Sequence, residues 1–175
     1  MEWIFAYPED WHEELEDYVL DTDDESLKYH AGPHAVYEIP DMDDDPDTMD
    51  IMLFDNNTIY TRGDEDLHEE YSRGVHYRIN EAEETVEEIW SYGEERGTDF
   101  FTRIVSDSDY LPESETVLIN SGRTLDEEAE ERYSIITEVT YEEESEVVFE
   151  AHIGPFDVDK YQQMYRAERL PLYPK

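Results

Sequence analysis

Apolar residues along this chain recur at every second position over short runs, and acidic or Pro/Gly turns cut the runs apart. Tyr133 to Tyr141 shows the alternation most clearly. Ile135, Thr137 and Val139 fall on one side of it, and Ile136, Glu138 and Thr140 on the other. The same period predicts strands over Trp3–Tyr7, Ala35–Ile39, Ile51–Phe54, Gly74–Ile79, Thr85–Tyr92, Ile104–Leu111, Thr116–Asn120, Tyr133–Tyr141 and Glu146–Ile153. One stretch has a helical period instead. Between Pro8 and Leu20, the residues Trp11, Leu15, Tyr18 and Val19 share a stripe with carboxylates opposite, which predicts a short helix. Alternation alone says only that the fold is mostly β, because sandwiches and barrels share it.

The order of the runs narrows the choice. Ala35–Ile39, Ile51–Phe54, Val75–Ile79 and Val86–Trp90 make one set of four. Ser108–Leu111, Val117–Asn120, Ile135–Val139 and Glu146–Phe149 make a second. The sets lie roughly 60 to 70 residues apart, above the 40 to 50 usual for propeller repeats. In both, an acidic hairpin joins the third strand to the fourth, at Asn80–Glu84 and Glu142–Ser145. Four antiparallel strands repeated in tandem describe a propeller blade. The expected fold is therefore all-β: a β-propeller fragment with about two four-stranded antiparallel blades, at 34–92 and 106–153, and part of another. The connections Asn57–Arg73 and Ser121–Arg132 are expected as loops on one rim. Asp41–Asp50 reads as a solvated acidic loop, and 161–173 as a terminal strand.

Charge changes the picture more than size does. The 175 residues suffice for one domain, and 38% hydrophobic content can build a core. Fifty acidic residues face twelve basic ones, for a net charge of -38, and only Lys28, Lys160 and Lys175 are lysines. Such a field repels nucleic acid and anionic lipid, so neither is an expected partner. It also makes folding sensitive to salt. Scarce lysine beside acidic excess fits a salt-loving source as well as an ordinary acidic surface. No cysteine is present, which removes disulfide and thiolate chemistry. No run reaches the roughly 18 apolar residues of a membrane span. Met1–Phe5 lacks the basic start of a signal peptide.

Composition and period name no chemistry, but several motifs do. Leu53-Phe54-Asp55-Asn56, Tyr71-Ser72-Arg73-Gly74-Val75-His76-Tyr77-Arg78-Ile79-Asn80 and Val86–Gly97 together resemble the aryl-sulfate sulfotransferase family, and the likeness runs from Trp3 to Tyr173. The resemblance implies a six-bladed propeller that moves a sulfuryl group from an aryl sulfate to a phenol, with no cofactor and commonly outside the cytoplasm. On that reading the chain is the C-terminal part of one propeller domain, and the uncovered face of its last blade invites self-association.

The resemblance also implies site residues. His34, in Gly32-Pro33-His34-Ala35, resembles the family's Gly-Gln-His-Ala segment, whose histidine lies in the sulfuryl site; on its own it reads equally as a turn histidine. Asn56 is either a ligand contact or a strand terminator in left-handed geometry. Arg62 falls near an arginine the family carries after Asp-Asn. Arg73 is either a sulfuryl ligand or a structural ion pair. One departure stands out. Where relatives read His-Ser-Gly-Gly, this chain reads Asn120-Ser121-Gly122-Arg123. That histidine is the family's expected sulfuryl carrier, and an amide cannot carry the group as imidazole does. No catalytic residue is therefore assigned. His152, on an expected outer strand, is not expected to substitute.

Other sites fail on their own residues. Asp41, Asp43 and Asp45 open like a calcium loop, but Pro46 replaces the turn glycine and Met52 the closing glutamate. His68 among Glu65, Asp66, Glu69 and Glu70 reads as a solvated loop, so no metal is expected. No phosphate-binding glycine loop, HExxH helix or GxSxG elbow occurs. The readings left open are an aryl-sulfate sulfotransferase member or fragment, and a non-catalytic or truncated propeller used for binding or scaffolding.

Overall fold

A computed structural model describes residues 2–8, 11–58, 70–126, 131–154 and 163–170. Two four-stranded antiparallel sheets dominate it. Sheet one has the order β1 (Pro33–Glu38), β2 (Thr48–Asp55), β3 (Arg73–Asn80) and β4 (Thr85–Tyr92). Sheet two repeats the order with β5 (Asp107–Leu111), β6 (Thr116–Asp126), β7 (Glu131–Thr140) and β8 (Val147–Ile153). Each chain neighbour is also a sheet neighbour, so the chain builds one sheet completely before starting the next. This is the meander of two successive propeller blades, and the expected all-β fold is the one found.

Alternation fixes which residues meet. Directly paired residues in antiparallel strands share a face. Met52 and Phe54 therefore face sheet two, where they join Trp90 and Tyr92 in one cluster with Val117, Ile119, Ile135 and Val139. Phe100, on a 3-10 segment between the sheets (Glu94–Phe100), closes the end of this cluster. Leu53, Val75, Tyr77 and Ile79 point the other way. They are covered by Leu20 and by the partly buried Trp3, Phe5 and Leu27 of the N-terminal segment. Strand β2 is thus apolar on both faces, which is why Ile51–Phe54 reads as a continuous hydrophobic run, whereas β3 alternates, with Val75, Tyr77 and Ile79 on one face and Gly74, His76, Arg78 and Asn80 on the other. Each such buried side chain contributes about 1.5–3 kcal/mol relative to leaving it in water. The inner edges also meet, where the Tyr110 backbone N–H donates to the Tyr37 hydroxyl at 2.6 Å.

Four details differ from expectation. Within the expected Pro8–Leu20 helix, whose residues 9 and 10 lie outside the described ones, Glu16–Tyr18 forms a 3-10 turn instead of an α-helix. Six carboxylates between Glu9 and Asp17 repel at helical spacing, and Trp11 and Tyr18 stay exposed, so the apolar stripe gains little by burial. Trp3–Tyr7 makes a single parallel bridge, Ile4 to Val19, rather than a strand. The connection expected over Ser121–Arg132 is largely strand: β6 and β7 pair out to Asp126 and Glu131 past a bulge between Ser121 and Thr124. Residues 163–170 are not a strand; they cross the outer face of sheet two as an extended segment held by a few contacts. No described helix is long and apolar enough to cross a membrane.

Candidate functional site

One end of the two sheets gathers the residues singled out by sequence. There β1 and β3 begin and β2 ends, so His34, Asn56 and Arg73 lie at the same rim. They do not share a face. His34 pairs with Phe54 and Phe54 with Gly74, on the side toward sheet two. Arg73 pairs with Asp55 and Asp55 with Pro33, on the opposite side. Arg62 lies outside the described residues, as does His68.

Arg73 is committed to the fold. Its side chain is 2% exposed. Nη1 donates to Glu88 Oε2 at 2.7 Å, and Nη2 to the Lys28 carbonyl at 2.7 Å and the Tyr77 hydroxyl at 2.8 Å. Asp55 Oδ2 stands 3.6 Å from Nε. Burial works against the charge, but Tyr77, Glu88 and Asp55 outweigh it and hold the guanidinium pKa above its ordinary value. An arginine surrounded this way fastens β2, β3 and β4 together and ties them to the N-terminal segment.

Asn56 is buried and stitches sheet one to the chain that enters sheet two. Its Nδ2 donates to the Thr102 carbonyl at 2.7 Å and the Val105 carbonyl at 3.2 Å. The Ser72 hydroxyl lies 3.1 Å from the carbonyl oxygens of both Asn56 and Thr102. The left-handed backbone expected at Asn56 falls one residue later, on Asn57, with φ 50°. Asn56 keeps one unused group: Oδ1 is shielded and has no partner.

His34 is half-buried on the inner edge strand, just before a bulge with Ala35 at φ 52°. Its Nδ1 is shielded from solvent and has no hydrogen-bond partner. Other described histidines have partners. His30 Nε2 lies 3.0 Å from the Phe5 carbonyl. His152 Nε2 lies 3.0 Å from Glu150 Oε1, on the exposed outer strand where it was expected.

Asn120 lies mid-strand in β6, fully buried, between Asp107 and Ile136. Its Nδ2 donates to the Met164 carbonyl at 3.1 Å, and its Oδ1 has no partner. Beside it stands a group that the sequence did not single out. Asp107 is 2% exposed, accepts the Ala167 N–H at 3.3 Å through Oδ1, and leaves Oδ2 without a partner. Burial first, and repulsion from Asp109 second, push its carboxyl up to about 7. The run Asp107-Ser108-Asp109 on a predicted strand was the available signal: alternation there puts two carboxylates on one face.

A second missed network lies between the sheets. His76 is fully buried, with Nε2 at 3.0 Å from Asp50 Oδ1 and Nδ1 at 2.6 Å from the Tyr141 hydroxyl. Arg78 binds both oxygens of Asp50, at 2.8 and 3.1 Å. Burial lowers the pKa of His76, so it is a neutral link between sheets. No group of three or more side chains among the described residues is placed to hold a metal ion.

Sequence comparison gives this rim its context. The arylsulfotransferase (ASST) family model matches residues 1–166. The chain belongs to the arylsulfotransferase family. Arylsulfate sulfotransferase AssT of Lelliottia amnigena is 30% identical over 132 residues, 70% of this chain and 22% of that protein. Arylsulfate sulfotransferase AssT of Escherichia coli O6:H1 is 45% identical over 47 residues, 27% of this chain and 8% of that protein. The chain thus spans less than a quarter of the length of the curated relatives it matches. Membership of that family supports a sulfotransferase-like function.

Proposed function

We propose that this chain supplies part of the sulfuryl-binding rim of an aryl-sulfate sulfotransferase propeller, acting on an aryl sulfate donor and a phenolic acceptor. The observation that carries the reading is His34. It stands at the resembling family position on the inner edge strand, with a shielded ring nitrogen and nothing bonded to it. Imidazole has a ring N–H that can donate to the oxygens of a bound sulfuryl group. Asn56 Oδ1 is a second unused group on the same rim, and Arg62 is the cation proposed to meet the anionic oxygens. Arg73 serves this site by positioning β2 and β3 rather than by contact.

A second reading is favoured by Asn120. It is an amide at the position where the family's carrier histidine is expected, and its N–H is already bonded to Met164. On that reading the chain binds sulfated phenols without carrying the group itself. Incubation with p-nitrophenyl sulfate and phenol separates the two. Binding reading: no p-nitrophenol is released and intact mass shows no sulfuryl adduct. Enzyme reading: the chain alone is likewise inactive, and turnover or an adduct appears in a full-length protein that carries this segment, since two blades do not enclose the sulfuryl group. Loss of p-nitrophenyl sulfate binding in His34→Ala is expected on both, and retained binding would overturn both.

A further inference from the structure

The outer face of sheet two is crossed by residues 163–170, and polar contacts tie them to it. The Met164 N–H donates to the Gly122 carbonyl at 2.8 Å, and its carbonyl accepts from Asn120. The Ala167 N–H reaches Asp107. Arg169 pairs with Glu138 at 2.5 Å. Gly122 admits the crossing, since a Cβ there would lie 2.0 Å from the Met164 carbonyl oxygen. Tyr165 and Leu170 meanwhile point into solvent, so the segment buries little apolar surface of its own.

We propose that residues 163–170 form a releasable strap over the Asn120–Asp107 pair, and that a proton on Asp107 holds the strap down. The unpartnered oxygens explain the need. Asp107 Oδ2 and Asn120 Oδ1 are both buried acceptors on directly paired residues. A protonated Asp107 has a donor to offer there, and an ionised one has none. The charges around it are mixed. Asp109 on β5 repels an ionised Asp107, whereas the Ala167 N–H and Arg166 on the strap and the Asn120 side chain favour it. Glu138 on β7 is engaged with Arg169, and Glu168 acts on Asp109. Burial outweighs the attraction, which is why the carboxyl titrates near neutral pH.

The sign follows from linkage. With the strap off, Asp107 lies on an open face and behaves as an ordinary carboxyl; with the strap on, it titrates near 7. Docking therefore takes up a proton. It is strongest below about pH 4, weakens up to about pH 7, and is level above that. Release would uncover the position that the family resemblance assigns to the sulfuryl carrier.

Amide hydrogen exchange tests this in 1 M KCl, with rates corrected for intrinsic exchange. From pH 5 to pH 8, protection at Met164 and Ala167 is expected to fall by up to about a hundredfold. Leu53 and Val75 in sheet one keep theirs as the fold control. Asp107→Asn retains an acceptor for Ala167 and cannot ionise, so its strap protection should not change with pH. Unchanged protection in the native chain, or an equal loss in Asp107→Asn, overturns the proposal. Should Asp107→Asn fail to fold, Asp109→Asn supplies the test: with repulsion removed, the Asp107 carboxyl resonance and the strap transition should both move to lower pH. A native Asp107 midpoint in the ordinary carboxylate range, near 4, also overturns it.

Discussion

Replacing Arg73 with alanine separates a ligand arginine from a structural one. The substitution removes donors from Glu88, Tyr77 and the Lys28 carbonyl at once, and removes the positive charge beside Asp55. Asp55 is 1% exposed and still accepts the N–H groups of Ala31 and Asn57. Glu88 is partly open to solvent. Breaking a buried ion pair from one side costs about 3–5 kcal/mol, because the partner charge is left uncompensated. Rehydration of Glu88 puts the expectation at the lower end, about 3 kcal/mol. For a domain of this size that is roughly 6–12 °C in Tm. The assay is thermal and urea unfolding in 1 M KCl, followed by the signal of Trp90, which is buried between the sheets. Arg73→Lys should recover only part of the loss, since one ammonium cannot reach three partners in a fork. A variant as stable as the parent that loses only p-nitrophenyl sulfate binding would refute the structural assignment and return Arg73 to the ligand set.

Other substitutions probe the packing that holds the rim. Gly74→Ala puts a Cβ 2.4 Å from Ser108 Oγ and 3.2 Å from Ile119, so it should cost about 1–3 kcal/mol in urea unfolding, and Ser108→Gly should recover much of that. Tyr141→Phe strands the His76 ring nitrogen between the sheets and should cost about 1–3 kcal/mol by the same measurement. His76 has a depressed pKa in the folded chain, so its contribution is present above about pH 6.5 and is lost as pH falls; His76→Gln should remove that acid-side loss from a pH series of unfolding midpoints. The net charge of -38 should make Tm rise between 0.1 and 1 M KCl, as the screening length falls from about 10 to about 3 Å; a flat Tm would reject charge repulsion as a main destabilising term.

Much of the fold was legible because alternation and order are local properties. The strand Thr85–Tyr92 was read residue for residue, and β2 and β3 were found to within a few residues of their ends. The N-terminal segment was misread because Trp11 and Tyr18 keep helical spacing without a surface to bury them. The extension of β6 was missed because its pairing partners Glu131 and Arg132 look like loop ends in sequence. The site was less legible. A histidine and an arginine two strands apart can share a rim and still face opposite ways, and only register decides which. Asp107 escaped notice because its signal, two carboxylates on one face of a predicted strand, is weak among fifty acidic residues. Asn120 could be picked out only by its contrast with a family pattern.

In the proposed function, His34 faces the sulfuryl site of this chain. The most direct test is a histidine-ring nitrogen–proton NMR spectrum recorded during titration with p-nitrophenyl sulfate in 1 M KCl. The His34 ring resonances should shift in a saturable way, while those of His30, His76 and His152 stay in place. An unmoved His34, or a saturable shift at His152 or His76 instead, would contradict the claim.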